Sequence, residues 1–204
     1  MSTIAIKFGG YQNPASIHNR AAERFGELLK KQFGDRIDFQ LIGNVLNIGR
    51  QSGDLPKMVA SGELSLCYIS SVRFTDPVPE FKVLELPFLI KDYASLDALT
   101  GGDVGKDVFG ILDKAGVMPL AWGENGFREL TNSKRDIAAP ADLKGLKIRV
   151  VGSPLFLDMF TALGANPVQM SWADAQPALS SGAIDGQENP VSIFTAAKLH
   201  TVGQ

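Results

Sequence analysis

Two kinds of hydrophobic spacing alternate along the first half of the chain. Residues 36–42 alternate apolar and polar side chains, which is typical of a strand with one buried face. Residues 14–33 instead place apolar side chains three or four positions apart, which predicts a helix. Its predicted buried stripe consists of Ala22, Phe25, Leu28, Leu29 and Phe33. Further strands are predicted at 4–8, 64–69 and 117–122, and further helices at 54–60, 92–99 and 104–114.

The same alternation continues through the second half. Ser153-Pro154 offers a helix cap followed by a first-turn proline, and Ser171-Trp-Ala-Asp174 fits a capping box, so we predict a helix after each. Strands are predicted at 129–132, 146–151, 167–170 and 184–188, and a last helix begins at Pro190. This order predicts an α/β fold with largely parallel sheets. We place lobe I at residues 1–123 and lobe II at residues 124–204.

Composition narrows the possible partners. The chain has 204 residues and a formal net charge of −2. This charge does not predict a basic surface that would bind nucleic acid or an anionic membrane. No apolar run approaches the ~20 residues that cross a bilayer, so we expect no direct membrane insertion. We recognise no signal peptide before residue 4. The composition therefore leaves three alternatives open: a cytoplasmic chain, an export signal replaced by a start codon, or a fragment.

Cofactor and metal motifs are not found. Gly105-Lys106 is followed by Asp107 rather than by Ser or Thr, so the phosphate-binding loop of nucleotide enzymes is not formed. Cys67 is the only cysteine and is predicted to be a buried apolar residue, which excludes an intrachain disulfide and a metal site built from cysteines. We therefore predict no cofactor and no metal.

Arg149 is the first candidate for chemistry. It comes late in a predicted strand whose other members are apolar, and a buried guanidinium without a partner costs several kcal/mol. The partner is either an internal carboxylate or the carboxylate of a ligand held by two parallel hydrogen bonds. The internal candidates are Asp158, Asp174 and Glu188.

Further candidates follow Arg149 in the sequence, and two of them, Asn189 and Trp172, have two interpretations each. Asn189 precedes a proline, so it is either a helix N-cap or a donor that contacts the ligand carboxylate or orients Arg149. Trp172 either stacks on a ligand or packs its helix. Asp185 with Glu188 forms only a weak candidate for an acid and base pair, since Gly186 between them indicates a turn or a close backbone approach.

Six short segments occur in an order that resembles one family. They are 71–74 (Ser-Val-Arg-Phe), 85–88 (Glu-Leu-Pro-Phe), 126–133 with Gly-Phe-Arg and Thr-Asn-Ser, 142–150 around Lys-Gly-Leu-Lys-Ile-Arg, 164–167 (Gly-Ala-Asn-Pro) and 185–190 (Asp-Gly-Gln-Glu-Asn-Pro). In this order they make the chain similar to the solute-binding receptors of tripartite ATP-independent periplasmic (TRAP) transporters, of the dicarboxylate-binding type.

The resemblance implies a periplasmic receptor with a two-lobed periplasmic-binding-protein-like fold. Such a receptor closes on a carboxylate and delivers it to a membrane permease. By matching position, Arg149 is implied to form the salt bridge to the ligand, with support from Asn189 and Arg128, while Trp172 packs against the ligand and Arg73 makes a further contact. Candidates for additional contacts are Gly10, Tyr11, Ser70 and Glu188. Ser70 stands where some sugar-acid receptors carry Glu, which argues against sialic acid.

Family members continue beyond the length of this chain, so we expect the C-terminal part to be missing. Two competing hypotheses remain open at this point. One is an enzyme that anchors a carboxylate substrate on Arg149 and uses Asp185 or Glu188 as base. The other is a ligand-sensing lobe of a larger regulatory protein.

Overall fold

A computed structural model describes residues 3–75, 78–114 and 116–202. The chain separates into two compact units, Met1–Ile69 and Ser70–Gln204, which are described one at a time. The lobe boundary placed at residues 123 and 124 stays a prediction.

The first unit is a three-stranded parallel sheet with two helices. Its elements are β1 (Ile4–Gly9), α1 (Ile17–Phe33), β2 (Ile37–Ile42), α2 (Leu55–Ala60) and β3 (Leu66–Cys67). The strand order is β2-β1-β3, and both pairings are parallel. The core of this unit lies between α2 and the sheet and contains Val45, Leu55, Met58 and Leu64. The predicted strand at 64–69 is real but only two residues long.

Helix α1 shows where the apolar pattern misleads. The helix begins three residues later than predicted, because the Ser16 hydroxyl caps it by accepting from the Asn19 amide at 3.2 Å. The buried face consists of Asn19, Ala22 and Gly26. Phe25 and Leu28 of the predicted stripe are 37% and 47% exposed. The prediction for these two residues was wrong: the glycine side of the helix packs on the sheet, where a β-carbon at Gly26 would lie 2.2 Å from the Phe39 ring.

The second unit has a four-stranded sheet with helices between its strands. Its elements are α3 (Tyr93–Gly101), α4 (Asp103–Lys114), β4 (Arg128–Asn132), β5 (Lys147–Val150), α5 (Pro154–Ala162), β6 (Asn166–Gln169), α6 (Trp172–Ser181), β7 (Gly186–Pro190) and α7 (Val191–Ala196). The strand order is β4-β7-β5-β6; β5 runs parallel to both neighbours, and β4 runs antiparallel to β7. The predicted α/β class with largely parallel sheets is thereby confirmed.

The strand predicted at 117–122 was wrong. The structure assigns no regular element to these residues, and Met118 and Leu120 are exposed. An apolar segment becomes a strand only when a neighbouring backbone completes its hydrogen bonds, and composition does not reveal whether such a neighbour exists.

Two predicted side-chain caps are found in this unit, whereas Ser153 stands at the N-cap of α5 without a side-chain hydrogen bond to the helix. The Asp92 carboxylate accepts from the Ser95 amide at 2.7 Å, as predicted for α3. The Ser171 hydroxyl accepts from the Asp174 amide at 3.3 Å, which confirms Ser171 as the cap of α6. The Asp174 carboxylate accepts from that same hydroxyl, at 2.5 Å, and not from the Ser171 amide as a capping box requires, so this part of the prediction was wrong. Within the described ranges, no helix is long and apolar enough to cross a membrane.

Candidate functional site

Arg149 lies in β5 with its side chain almost completely buried, at 2% exposure. Its Nε and Nη2 both donate to the main-chain carbonyl of Met170, at 3.1 and 2.8 Å. Its guanidinium carbon lies 5.6 Å from the centre of the Trp172 ring. In the part of the chain that the structure describes, no carboxylate forms an ion pair with Arg149, so none of the three internal partners considered for it is used.

The electrostatic surroundings of Arg149 disfavour its charge. Burial lowers the pKa of Arg149 to about 10, and the positive charges of Arg128 and Arg73 act in the same direction. The negative charge of Glu188 opposes them. Arg149 remains a cation at neutral pH, and a buried cation of this kind is stabilised by an additional anion.

Arg128 is neutralised within the protein. Its Nε donates to Glu188 Oε2, and its Nη2 donates to Glu188 Oε1 at 3.0 Å, so the pair has the two-pronged geometry typical of arginine and carboxylate. The antiparallel register of β4 and β7 brings the two residues together, because Arg128 pairs with Pro190 and Leu130 with Glu188. The predicted cluster therefore exists, but its ion pair joins Glu188 to Arg128 rather than to Arg149.

Asn189 belongs to a chain of amide hydrogen bonds along β7. Its Oδ1 accepts from Arg128 Nη2 at 3.3 Å, and its Nδ2 donates to Gln187 Oε1 at 2.6 Å. Gln187 is fully buried and donates in turn to Thr131 Oγ1 at 2.8 Å. The N-cap interpretation of Asn189 was wrong, since Pro190 occupies the cap of α7 without a side-chain bond. Asn189 orients Arg128, not Arg149.

Gln187 was missed by sequence reasoning, although its signal was present. Residues two apart in a strand face the same side, so Gln187 shares a side of β7 with Asn189. Gln187 could therefore have been recognised from the sequence as a residue that supports the Asn189 side chain.

Trp172 packs its helix, which is one of the two interpretations made for it, and its contact with a ligand stays a prediction. Its ring packs beside a hydrophobic cluster that contains Leu179, Ile184 and Leu199. The same ring stands at the start of α6 opposite the Arg149 guanidinium. An aromatic face beside a buried cation stabilises it without neutralising it.

Arg73 lies on a short 3₁₀ segment, Ser71–Phe74, which begins directly after Ser70. Arg73 is half-buried, and its Nη1 lies 3.9 Å from the position that a β-carbon on Gly152 would occupy, next to the end of β5. Ser70 precedes the segment, and its carbonyl accepts from the Arg73 amide at 3.0 Å.

The Ser71 hydroxyl donates to Glu85 Oε1 at 2.6 Å. Burial raises the pKa of Glu85, and Glu188 adds to this effect while Arg128 opposes it.

Asp185 has a structural role. Its Oδ2 accepts from the Lys147 amide at 2.8 Å, and its Oδ1 lies 3.6 Å from Lys134 Nζ. Gly186 makes the close approach that the sequence indicated, because a β-carbon there would lie 2.3 Å from the Thr131 carbonyl oxygen. With Asp185 holding β5 and Glu188 paired to Arg128, neither carboxylate is placed as a catalytic base.

Gly10 and Tyr11 lie in the first unit, directly after β1. The Gly10 amide donates to the Ile42 carbonyl at 2.8 Å, and its carbonyl accepts from the Val45 amide at 2.9 Å. Tyr11 forms an isolated bridge with Asn44. Cys67 is half-buried in β3, where it pairs with Gly9 of β1, and burial raises the pKa of its thiol to about 11, which agrees with the apolar role predicted for it.

The cluster in the second unit has an excess of positive charge. Three guanidiniums (Arg73, Arg128, Arg149) stand against two carboxyls (Glu85, Glu188), which leaves at least 3 − 2 = 1 positive charge even when both acids are ionised. Among the described residues, no group of three His, Cys, Asp or Glu side chains could hold a metal ion. The arrangement is therefore suited to binding an anion.

An α/β fold that gathers arginine side chains near the carboxyl ends of parallel strands is typical of proteins that bind small anions. The model of the bacterial extracellular solute-binding proteins, family 7, matches residues 8–204, so the chain belongs to this family. The family is one of solute-binding receptors and not of enzymes. The resemblance to TRAP receptors drawn from the sequence motifs is confirmed.

Individual relatives carry names that refer to carboxylates. A TRAP periplasmic solute-binding protein of Ralstonia eutropha H16, solved with bound (S)-2-acetolactate, is 50% identical with a TM-score of 0.92 over 98% of this chain and 64% of that one. A TRAP protein of Sulfurospirillum deleyianum with bound succinate is 28% identical with a TM-score of 0.93, over 99% and 64%. The 2,3-diketo-L-gulonate-binding periplasmic protein of Escherichia coli is 32% identical over 99% of this chain and 61% of its own length. The chain thus spans a little under two thirds of the relatives that it matches.

Proposed function

We propose that this protein is the solute receptor of a TRAP transporter and captures a small organic acid anion. The observation that carries the proposal is the buried Arg149 guanidinium, which donates to a main-chain carbonyl and has no carboxylate partner among the described residues. A ligand carboxylate would supply the missing negative charge.

Each residue of the cluster has a distinct part in the proposal. Arg149 forms the salt bridge to the ligand carboxylate, and Arg73 adds a second positive charge. Arg128 supports the cluster through its ion pair with Glu188, and Asn189 supports it through its hydrogen bond to Arg128, so both shape the charge around the ligand as well as contacting it. Trp172 offers a flat apolar surface. Gly10, Tyr11 and Ser70 remain candidates for the contacts that set ligand identity.

The relatives indicate which acids to try first. Their names or bound molecules are acetolactate, succinate and 2,3-diketo-L-gulonate, all of which carry a carboxylate. We propose a ligand of this class, a short organic acid with further oxygen atoms. A permease with TRAP subunits as partner and a periplasmic location follow from the family role and belong to the same proposal.

Titration calorimetry with these three acids tests the proposal. We expect at least one to bind, and Arg149→Ala to weaken that binding by at least about tenfold, because a charge-assisted hydrogen bond contributes about 1.5–3 kcal/mol. Arg20→Ala, at an exposed position of α1, is the control and should bind like the wild type. Mass spectrometry of the recovered acid should show it unaltered; equal affinity in Arg149→Ala, or a converted acid, would refute the receptor function.

A further inference from the structure

The loop between β1 and α1 is attached to a tyrosine from far along the sequence. The Tyr68 hydroxyl accepts from the main-chain amides of Tyr11 and Gln12, at 3.2 and 3.1 Å, and donates to Asn19 Oδ1 at 3.0 Å. A phenolic hydroxyl has one hydrogen to donate and two lone pairs to accept with, so every hydrogen-bonding position of this group is used.

Asn19 completes the attachment from the other side. It is 1% exposed, and its Nδ2 donates to the main-chain carbonyls of Gln12 and Asn13 at 3.0 and 2.9 Å. Amides and carbonyls of the same loop are thus held by two side chains that also bond to each other. A loop fixed in this way keeps one backbone conformation before any ligand arrives.

The ring of Tyr68 explains the glycine that precedes Tyr11. A β-carbon at Gly10 would lie 2.5 Å from Tyr68 Cε1, which is closer than real β-carbons approach other atoms. The ring is held in turn by His18, which stacks on it with centroids 5.4 Å apart and an interplanar angle of 27°. Burial raises the pKa of Tyr68 to about 12, so the hydroxyl keeps the proton that it donates to Asn19 at neutral pH.

We infer that Tyr68 is a positioning residue for ligand recognition: through its hydroxyl and Asn19 it fixes the backbone of residues 10–12, which carries the candidate contact residues Gly10 and Tyr11. The inference rests on the proposed function. Its physical basis is preorganisation, since a loop that is already ordered does not have to lose conformational freedom when the ligand binds.

The test compares Tyr68→Phe with the wild-type protein in two measurements. Phenylalanine keeps the ring and its packing but leaves the amides of Tyr11 and Gln12 without their acceptor. We expect these two amides to exchange hydrogen roughly tenfold faster, and the best acid among acetolactate, succinate and 2,3-diketo-L-gulonate to bind about fivefold more weakly. An unchanged circular dichroism spectrum would show that the fold is retained.

Tyr93→Phe is the matched control. Tyr93 is exposed and packs its ring on Phe127, and no hydrogen bond of its hydroxyl is found among the described residues. This variant should therefore match the wild type in both measurements.

Each outcome decides the inference. Unchanged exchange at residues 11 and 12 in Tyr68→Phe would overturn it, and so would faster exchange with unchanged affinity, because the ordered loop would then not serve binding. A wild-type protein that binds none of the three acids would refute the proposed function and with it the role in recognition. Faster exchange in Tyr68→Phe would in that case still support the attachment of the loop.

Discussion

Arg149 and Arg128 carry the same chemical group but are stabilised differently. Arg128 has a carboxylate partner in Glu188, whereas Arg149 has a main-chain carbonyl, which accepts hydrogen bonds but brings no net negative charge. A ligand carboxylate can therefore neutralise Arg149 without breaking the existing ion pair. Arg128 is neutralised by Glu188 and stabilises the cluster, whereas Arg149 keeps its positive charge and is free to bind a ligand anion.

The half-buried acid Glu85 provides a test of these electrostatics. Its pKa is raised mainly by burial, so the folded protein holds this proton more tightly than the unfolded chain does. The resulting contribution to stability is present below the unfolded pKa and is lost as pH rises through the folded pKa. Glu85→Gln keeps an acceptor for Ser71 and never ionises. Its melting temperature should match the wild type near about pH 4 and exceed it near about pH 7.5.

Thermal unfolding monitored by circular dichroism at both pH values measures this difference. Glu80→Gln, at an exposed position of the 3₁₀ segment Pro79–Glu85 that also contains Glu85, is the matched control and should give a much smaller difference. A Glu85→Gln variant that is less stable than the wild type at the higher pH would contradict the assigned burial effect.

Among the elements, the pairing of β4 with β7 builds the cluster. This antiparallel pairing sets Arg128 beside the Glu188 and Asn189 side chains although about 60 residues of chain separate them. Gly186 at the start of β7 permits the pairing, since any larger residue would meet the Thr131 carbonyl. The register of two strands thus controls the arrangement of the charges.

Two glycine-to-alanine substitutions separate the effect of the close approach at Gly186 from the general effect of alanine on stability. Gly186→Ala should lower the free energy of unfolding by about 1–3 kcal/mol, because its β-carbon would lie 2.3 Å from a backbone oxygen. Gly110→Ala, inside α4, should instead raise it by roughly 0.5–1 kcal/mol, because nothing lies within 4 Å of the added carbon and alanine favours a helix. Urea unfolding measures both; equal effects of the two substitutions would show that the close approach is not real.

Local signals in the sequence predicted the elements better than their partners. Asp92 and Ser171 were identified as caps because capping depends on residues three positions apart. Residues 117–122 were misassigned because strand formation depends on a neighbour elsewhere in the chain. The exposed Phe25 and Leu28 show the same limit for a helix: the pattern identifies an apolar side, and tertiary packing decides which side is buried.

The same distinction holds for the candidate site. The position of Arg149 in a strand was predicted from the sequence, whereas Arg128 and Asn189 lie in strands whose predicted bounds, 129–132 and 184–188, left them out. The partner of Arg149 was not predictable, since a main-chain carbonyl such as that of Met170 has no signature in side-chain identity. The pairing of Arg128 with Glu188 also depends on a register that only the folded sheet fixes.

For the whole molecule, overall charge and local charge have opposite signs. The chain carries a net charge of −2, yet the cluster has at least one positive charge in excess. Capture of an anion would therefore depend on short-range contacts inside the fold rather than on attraction by the total charge, which is weak at physiological ionic strength.

Ligand-dependent stability tests the function at this scale. A saturating organic acid, at about 100 times its Kd, should stabilise the wild type by about 2.7 kcal/mol, which corresponds to a rise of roughly 5–10 °C in melting temperature. Arg149→Met should reduce this rise to about half or less at the same ligand concentration, because binding at least about tenfold weaker leaves the ligand at no more than about 10 times its Kd. Without ligand the variant should stay within about 2 kcal/mol of the wild type, because removal of a buried cation offsets the lost hydrogen bonds. A full ligand response in the variant would refute the role of Arg149.

The carbonyl that holds Arg149 comes from the backbone of Met170 and not from its side chain. Any amino acid at position 170 offers the same oxygen, so this residue can be exchanged during evolution without turning the guanidinium away. Trp172, two positions later, faces the guanidinium with its side chain, so a replacement there changes the surface beside the cation but not the bond to the Met170 carbonyl. Related receptors could in this way acquire new substrate preferences by altering the chain just after β6, while the cation that recognises the acid group keeps its orientation.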